Sequence, residues 1–161
     1  MNSSLEELLD RWGNRLYRTA LAILTNSQDA EDAVQETFVK LLVHPRTFDS
    51  QEHERAWLLK VTVNQCRSHL RWRRRHQSIP IEECLLAATG NMPSVLTSEL
   101  LSLPPKYRTA LHLYYYEGYS TEEISQITGR KASSVRSILT RGRQMLRQRL
   151  DENGEAMEVS L

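Results

Sequence analysis

Apolar residues recur at steps of three and four along almost the whole chain, and this is the spacing of one face of an α-helix. At the start of the chain they stand at Leu5, Leu8, Trp12, Leu16 and Ala20. No stretch shows a persuasive alternation of apolar and polar residues, which is the pattern of a half-buried strand. The sequence therefore predicts an all-α fold, and its 40% of hydrophobic residues is enough for a packed core.

Residues that start or stop helices divide this pattern into segments. Asn26 and Ser27 break and recap the chain, and Pro45 ends the helix that follows. Gly118 and Gly129 stand where left-handed C-terminal caps are expected. The predicted helices are one up to about residue 24, then 28–43, 53–74, 94–101, one opened by Pro104 and Pro105, 121–128 and 132–150, with a short turn around 83–88.

Several residues are assigned to the core. Cys66 is interpreted as a small buried hydrophobe, and Tyr114 is placed in the core of the second half. The apolar face of the second predicted helix is made of Ala30, Val34, Phe38, Leu41 and Leu42.

The chain of 161 residues suits one domain or two small ones, and the region around Pro80, Gly90 and Pro93 favours two. We predict a helical domain at 1–75, a flexible linker at 76–93, a second helical domain at 94–150 and an acidic tail at 151–161. Fully extended, the linker could span up to about 60 Å.

Positive charge is concentrated in two segments, although the formal net charge is only +1. The segment nearer the C-terminus, called the second, runs from Arg130 to Arg149 and contains no Asp or Glu. Two separated basic surfaces on a nearly neutral chain suggest that a polyanion is bound at two places. The first segment comprises Arg67, Arg71, Arg73, Arg74 and Arg75.

The helices predicted at 121–128 and 132–150, separated by a turn that contains Gly129, form a helix-turn-helix pattern. The outward face of the second helix carries side-chain types that hydrogen-bond to base edges and phosphates. The alternative is a solvated basic helix that closes a bundle. The outward residues are Ser133, Ser134, Arg136, Ser137 and Thr140.

The second and third predicted helices carry opposite charges. Trp57 and the basic residues after it suit unstacked bases, although Trp57 could equally be a core residue. Asp29, Asp32 and Glu36 form an acidic face that repels DNA and suits a protein partner, unless it is only a solvated surface.

Other classes of protein find little support. Cys66 and Cys84 form no disulfide framework, and no metal-ligand spacing, Ser-His-Asp order or glycine-rich phosphate loop is present. No apolar run is long enough for a membrane helix, and the N-terminus does not resemble a signal peptide. We therefore expect a cytoplasmic protein without catalytic residues, metal, cofactor or direct membrane insertion.

Three stretches together resemble a bacterial RNA polymerase sigma factor of the extracytoplasmic-function (ECF) group, which keeps only regions 2 and 4. They are "DAEDAVQETFVKLL", "ERAWLLKVTVNQCRSHLRWRRR" and "LPPKYRTALHLYYYEGYSTEEISQITGRKASSVRSILTRGRQML". Lys131 departs from the family pattern, which has a capping Ser or Thr there, and Gly142 stands where alanine is common. A stand-alone helix-turn-helix regulator remains the alternative.

The resemblance implies three partners: core RNA polymerase through the clamp helices and flap, promoter DNA, and an anti-sigma factor. The residues that would bind the polymerase are Asp29, Asp32, Gln35 and Glu36. Those that would bind the −10 element are Phe48, Trp57, Lys60, Asn64, Arg67, Arg71 and Arg74. Those that would bind the −35 element are Lys131, Ser133, Ser134, Arg136, Ser137, Thr140 and Arg141.

Overall fold

The computed structural model of the protein describes residues 4–76 and 94–152, without the side chains of residues 94–97. Within these residues all regular structure is helical, so the predicted all-α fold is confirmed. The turn predicted at 83–88 lies outside them. The helices are α1 (Leu5–Leu24), α2 (Ser27–Val43), α3 (Gln51–Arg75), α4 (Ser94–Leu101), α5 (Pro105–Leu111), α6 (Thr121–Thr128) and α7 (Ala132–Glu152), and α5 continues into a π-helical turn at His112–Tyr116.

Helices α1, α2 and α3 pack on one another and form the first half of the fold. Each begins at a side-chain cap, because Ser4, Asn26 and Ser50 accept a hydrogen bond from a backbone N–H of the first turn. Leu16 and Leu58 are among the fully buried residues between them. The first half is thus a three-helix bundle whose helix ends are encoded locally.

Helices α5, α6 and α7 form the second half, with α4 against α7. Ser120 and Glu123 make the reciprocal hydrogen bonds of a capping box at the start of α6. Gly118 and Gly129 have φ values of 76° and 74°, a conformation that favours glycine. These caps confirm the predicted helix-turn-helix boundaries.

Two of the predicted core positions are wrong. Leu42 is 58% exposed, and Tyr114 is 36% exposed. Tyr114 lies in the π-helical turn, where Glu117 N–H donates to the carbonyl of His112 five residues earlier. This wider turn shifts the helical register, so a period of 3.6 misplaces Tyr114. Cys66 is fully buried, as predicted, and burial raises the pKa of its thiol.

The two halves are packed together through buried polar contacts. Arg108, 5% exposed, donates from its guanidinium to the carbonyl oxygens of Ala22 and Ile23 at the end of α1. The buried carboxylate of Glu117 lies 3.3 Å from Arg15 Nε and 3.8 Å from Arg18 Nη2, both on α1. Charged side chains of the second half therefore contact the first half and hold the two together.

We expect Gly142→Ala to leave stability unchanged or lower it by up to about 2 kcal/mol, measured by thermal unfolding. A Cβ at Gly142 would lie 3.1 Å from Leu111 Cδ1, so overpacking offsets the roughly 1 kcal/mol of helix propensity that alanine adds. Gly13 in α1 is the matched control, because a Cβ there meets nothing within 4 Å. Gly13→Ala should raise the unfolding temperature. Equal stabilisation by both changes would contradict the close approach.

Candidate nucleic-acid and protein interfaces

One face of α3 carries a stripe of residues suited to single-stranded nucleic acid. Its members follow one another at steps of three or four, which places them on one side of the helix. Trp57 and Arg67 are half-buried, and the others are exposed. We call this set the α3 stripe. It consists of Trp57, Lys60, Asn64, Arg67, Arg71 and Arg74.

The aromatic end of the stripe is supported from the loop before α3. Phe48 is 9% exposed, and its ring centroid lies 5.8 Å from that of Trp57 and 5.3 Å from that of His53. The guanidinium of Arg46 lies 5.2 Å from the centroid of the Trp57 ring. Phe48 therefore packs into the protein beneath Trp57, and its predicted contact with DNA stays a prediction.

The basic end of the stripe faces the second half of the chain. Arg67, Arg71 and Arg74 line a cavity with Arg130, which lies in the turn before α7. Burial lowers the pKa of Arg67, and the charges of Arg130 and Arg71 lower it further. The two halves are packed together in what we call the closed arrangement, and the second half then lies across a cavity from the basic end of the α3 stripe, where Arg67 is half-buried.

The four predicted polymerase-binding residues of α2 differ in their surroundings. The carboxylate of Asp29 lies 2.6 Å from Arg73 Nη2, and Glu36 Oε1 lies 2.8 Å from His69 Nε2. Asp32 accepts a longer contact from Gln28, at 3.4 Å in an exposed setting. Gln35 is exposed. Asp32 and Gln35 are thus the more available pair, whereas Asp29 and Glu36 also tie α2 to α3.

Sequence reasoning missed an apolar strip next to this acidic face. Val39, Leu42 and Val43 are 53%, 58% and 63% exposed. They follow Asp32 and Gln35 at helical steps, so acidic and apolar side chains share one surface of α2. Residues of a buried core face have the same spacing, so the sequence pattern does not distinguish an exposed apolar strip from a buried one.

The outward face of α7 matches the prediction. Ser133, Ser134, Arg136, Ser137, Thr140 and Arg141 are exposed, as is Lys131 before the helix. All of them except Ser134 and Lys131 line a shallow groove to which Gln144, missed by sequence reasoning, also contributes. Lys131 lacks the side-chain hydroxyl of the capping Ser or Thr that the family pattern has at this position. Its backbone carbonyl accepts a hydrogen bond from the N–H of Val135 at 3.0 Å. The polar face of the second helix is therefore open to a ligand.

Arg143 lies beside this face in a fixed position. Its Nε donates to Tyr115 Oη at 2.6 Å. Its guanidinium carbon lies 5.6 Å and 5.7 Å from the ring centroids of Tyr114 and Tyr115. The exposed tyrosines thus hold a cation at the edge of α7.

Comparisons with known families agree with this geometry. The family model "Sigma-70 region 2" matches residues 8–76, and "Sigma-70, region 4" matches residues 95–146. The chain is 30% identical over 156 residues to "RNA polymerase sigma factor SigZ" of Bacillus subtilis (strain 168), covering 92% of this chain and 88% of the relative. It is 33% identical over 156 residues to "ECF RNA polymerase sigma factor SigE" of Mycolicibacterium smegmatis, covering 89% of this chain but only 60% of that relative. The chain belongs to the ECF sigma factors.

Solved structures share the fold of this sigma factor. The sigma factor RpoE in complex with the anti-sigma factor NepR from Bartonella quintana has a TM-score of 0.72 at 22% identity, covering 91% of this chain and 96% of that one. CnrH in complex with the cytosolic domain of CnrY has a TM-score of 0.67 at 27% identity, covering 92% and 88%. Both coverages include the two halves of the fold.

The described residues contain neither a membrane-spanning helix nor a cluster of metal-ligating side chains. None of their helices is long and apolar enough to cross a membrane. None of their His, Cys, Asp and Glu side chains form a group of three or more able to hold a metal ion.

Proposed function

We propose that this ECF sigma factor binds core RNA polymerase and directs transcription initiation at promoters whose −10 and −35 elements it reads. The α2 face would contact the clamp helices of the polymerase, the second half would contact the flap, and the α3 stripe and α7 would contact DNA. The chain itself makes and breaks no bond in this role, because the polymerase supplies catalysis.

The α3 stripe is the observation that carries this proposal. Extruding a base from a duplex costs a few kcal/mol in stacking and pairing. Trp57 offers a ring on which a base can stack, Asn64 offers an exposed amide, and the arginines of the stripe offer cations for the backbone. Such a helix stabilises opened DNA, which a regulator that binds only duplex does not require.

The closed arrangement implies that the two halves separate before promoter binding. Arg67, Arg71 and Arg74 line the cavity between the halves, and Arg67 is half-buried there, so the second half restricts the access of −10 DNA to this end of the stripe. In one solved neighbour a sigma factor is in complex with an anti-sigma factor, and in the other CnrH is in complex with the cytosolic domain of CnrY. We infer that an anti-sigma factor also binds this chain and favours a closed state.

Transcription in vitro with core polymerase and a randomised promoter library tests the proposed function. We expect enrichment of two short elements at a fixed spacing, and only when the chain and the core polymerase are both present. The same library is bound to the chain alone as a control. Enrichment of duplex sites by the chain alone, without promoter-specific transcripts, would instead support the helix-turn-helix regulator.

Arg136→Ala is expected to reduce transcription from the selected promoter by about 10- to 100-fold, since one base-reading side chain contributes about 1–3 kcal/mol. Arg136 is exposed on the groove of α7. The control is a promoter with an altered −35 element and a strong −10 element, where we expect little further loss. An equal fall on both promoters would make Arg136 a phosphate contact.

A further inference from the structure

A cavity of about 780 Å³ lies between the two halves of the chain. The first half contributes four arginines from the last turns of α3 to its lining. These arginines are Arg67, Arg71, Arg73 and Arg74.

The second half contributes four more cations from three separate segments: Lys106 and Arg108 of α5, Arg130 in the turn before α7, and Arg149 near the end of α7. Among the described residues that line the cavity there is no Asp or Glu. The closed arrangement therefore gathers eight positive charges around one space whose described lining contains no carboxylate.

Several of these cations have partners inside the protein, and most of those partners are neutral: Arg71 Nη2 donates to Ser68 Oγ at 3.1 Å, and Lys106 Nζ lies 5.1 Å from the centroid of the Tyr107 ring. Arg73 pairs with Asp29, Arg108 donates to backbone carbonyls, and Arg149 Nη1 donates to Ser102 Oγ at 2.8 Å. Arg73, Arg108 and Arg149 aside, the five other cations form no ion pair with a carboxylate in the described part of the chain. They are Arg67, Arg71, Arg74, Lys106 and Arg130.

The walls between these cations are largely apolar. Leu70 of α3, which is half-buried, faces the cavity from one side, and Ile138 of α7, which is 8% exposed, faces it from the other. Val63, Ile124 and Val135 are almost fully buried and belong to the core next to the cavity. Ligand pockets are typically lined by apolar side chains with a few convergent polar groups, and have volumes of roughly 300–1,000 Å³. The cavity fits that description.

We propose that this cavity binds a small phosphorylated molecule with an apolar or aromatic body, of the nucleoside polyphosphate class, and that the ligand holds the two halves closed. Guanidinium groups bind phosphate oxygens bidentately, and the ligand's phosphates supply the negative charge that the described lining lacks. The base packs on the apolar walls. Because the cations come from both halves, one polyanion bridges them.

Larger anions fit the cavity poorly. A cube of this volume has an edge of about 9 Å, which is less than the roughly 10–12 Å diameter of an α-helix with its side chains. A DNA duplex is wider still, because its major groove alone admits an α-helix. A duplex or a long acidic helix would have to separate the two halves first, whereas a nucleotide would not.

The regulatory consequence rests on the proposed function. Arg67, Arg71 and Arg74 belong to the α3 stripe, so a bound nucleotide competes with −10 DNA and lowers transcription. Binding of the nucleotide itself requires neither polymerase nor promoter. The two ideas can therefore fail separately: nucleotide binding by a chain without promoter-specific transcription would remove only the proposed function.

Isothermal titration calorimetry of the full chain with ATP and GTP tests the binding. We expect one site per chain with micromolar affinity, and at least tenfold weaker binding of inorganic triphosphate, which cannot use the apolar walls. Tighter binding of lysophosphatidic acid than of either nucleotide would overturn the nucleotide class. No binding of ATP or GTP at millimolar concentration, or equal binding of an octaglutamate peptide, would overturn the proposal.

Variants locate the site. Arg67→Gln and Arg130→Gln should each weaken ATP binding at least tenfold, while Arg147→Gln, an exposed α7 arginine outside the cavity, should leave it unchanged. Leu70 is a half-buried residue of the cavity wall, so Leu70→Trp should fill the cavity and abolish binding, and circular dichroism checks that the variant is folded.

Small-angle scattering of the unmodified chain should show a smaller radius of gyration with ATP than without it. Equal weakening by all three arginine variants would mean that ATP binds nonspecifically.

Discussion

Arg108→Met is expected to lower the free energy of unfolding by about 3 kcal/mol and to let the two halves separate. The guanidinium of Arg108 donates to the carbonyls of Ala22, Ile23 and Leu103. The first two lie in the last turn of α1, where carbonyls have no partner within the helix. Methionine keeps most of the volume but leaves these carbonyls unpaired, at about 1–3 kcal/mol for each buried group.

The charge of Arg108 persists in this setting. Burial lowers the pKa of Arg108 to about 10, with a smaller contribution from the nearby charge of Arg73. That value is well above neutral pH, so the guanidinium remains protonated and the carbonyls satisfy its donors. Removing the side chain therefore costs stability across the neutral pH range.

Urea denaturation measures the change, and small-angle scattering reports the separation of the halves. Arg18→Met is the matched control, because Arg18 lies 3.8 Å from Glu117 and its side chain is 42% exposed. Removing Arg18 should cost about 1 kcal/mol or less, because its own side chain is partly exposed and the Glu117 carboxylate keeps Arg15 at 3.3 Å. Equal losses in the two variants would mean that the buried carbonyl contacts of Arg108 do not hold the halves together.

The helices were predictable because their ends are encoded by nearby residues. Asn26, the Ser120 and Glu123 pair, and Gly129 each act on backbone groups within one turn, so their positions in the sequence are sufficient. The exposure of Tyr114 was not predictable, because the π-helical turn that changes the helical register is not marked by any distinctive residue. Local chemistry thus predicts boundaries better than it predicts which side of a helix is buried.

The packing of the halves is encoded in contacts that sequence patterns do not show. Arg108 reaches carbonyls 85 and 86 residues away, and every residue has a carbonyl. A buried arginine satisfied by the backbone therefore looks like an ordinary surface charge. The acidic face of α2 posed a related problem, since Asp29 and Arg73 were assigned to separate surfaces and are 2.6 Å apart.

Asp32→Arg is expected to weaken binding to core polymerase by about 100-fold or more, because reversing a charge at a docking surface costs several kcal/mol and 1.4 kcal/mol is tenfold. Asp32 is the better choice than Glu36, whose contact with His69 also holds α2 to α3. Fluorescence anisotropy of the labelled chain with core polymerase measures the affinity, and circular dichroism checks the fold.

Glu31→Arg is the control for Asp32→Arg, since it makes the same change of charge at an exposed neighbour about 100° around α2. We expect it to alter the affinity by no more than about threefold, because surface charges away from a contact act mainly through screened long-range attraction. If both variants bind as the unmodified chain does, the acidic face of α2 is not the docking surface. If both weaken equally, the polymerase responds to net charge, and the exposed strip of Val39, Leu42 and Val43 becomes the part of α2 that determines specific contact.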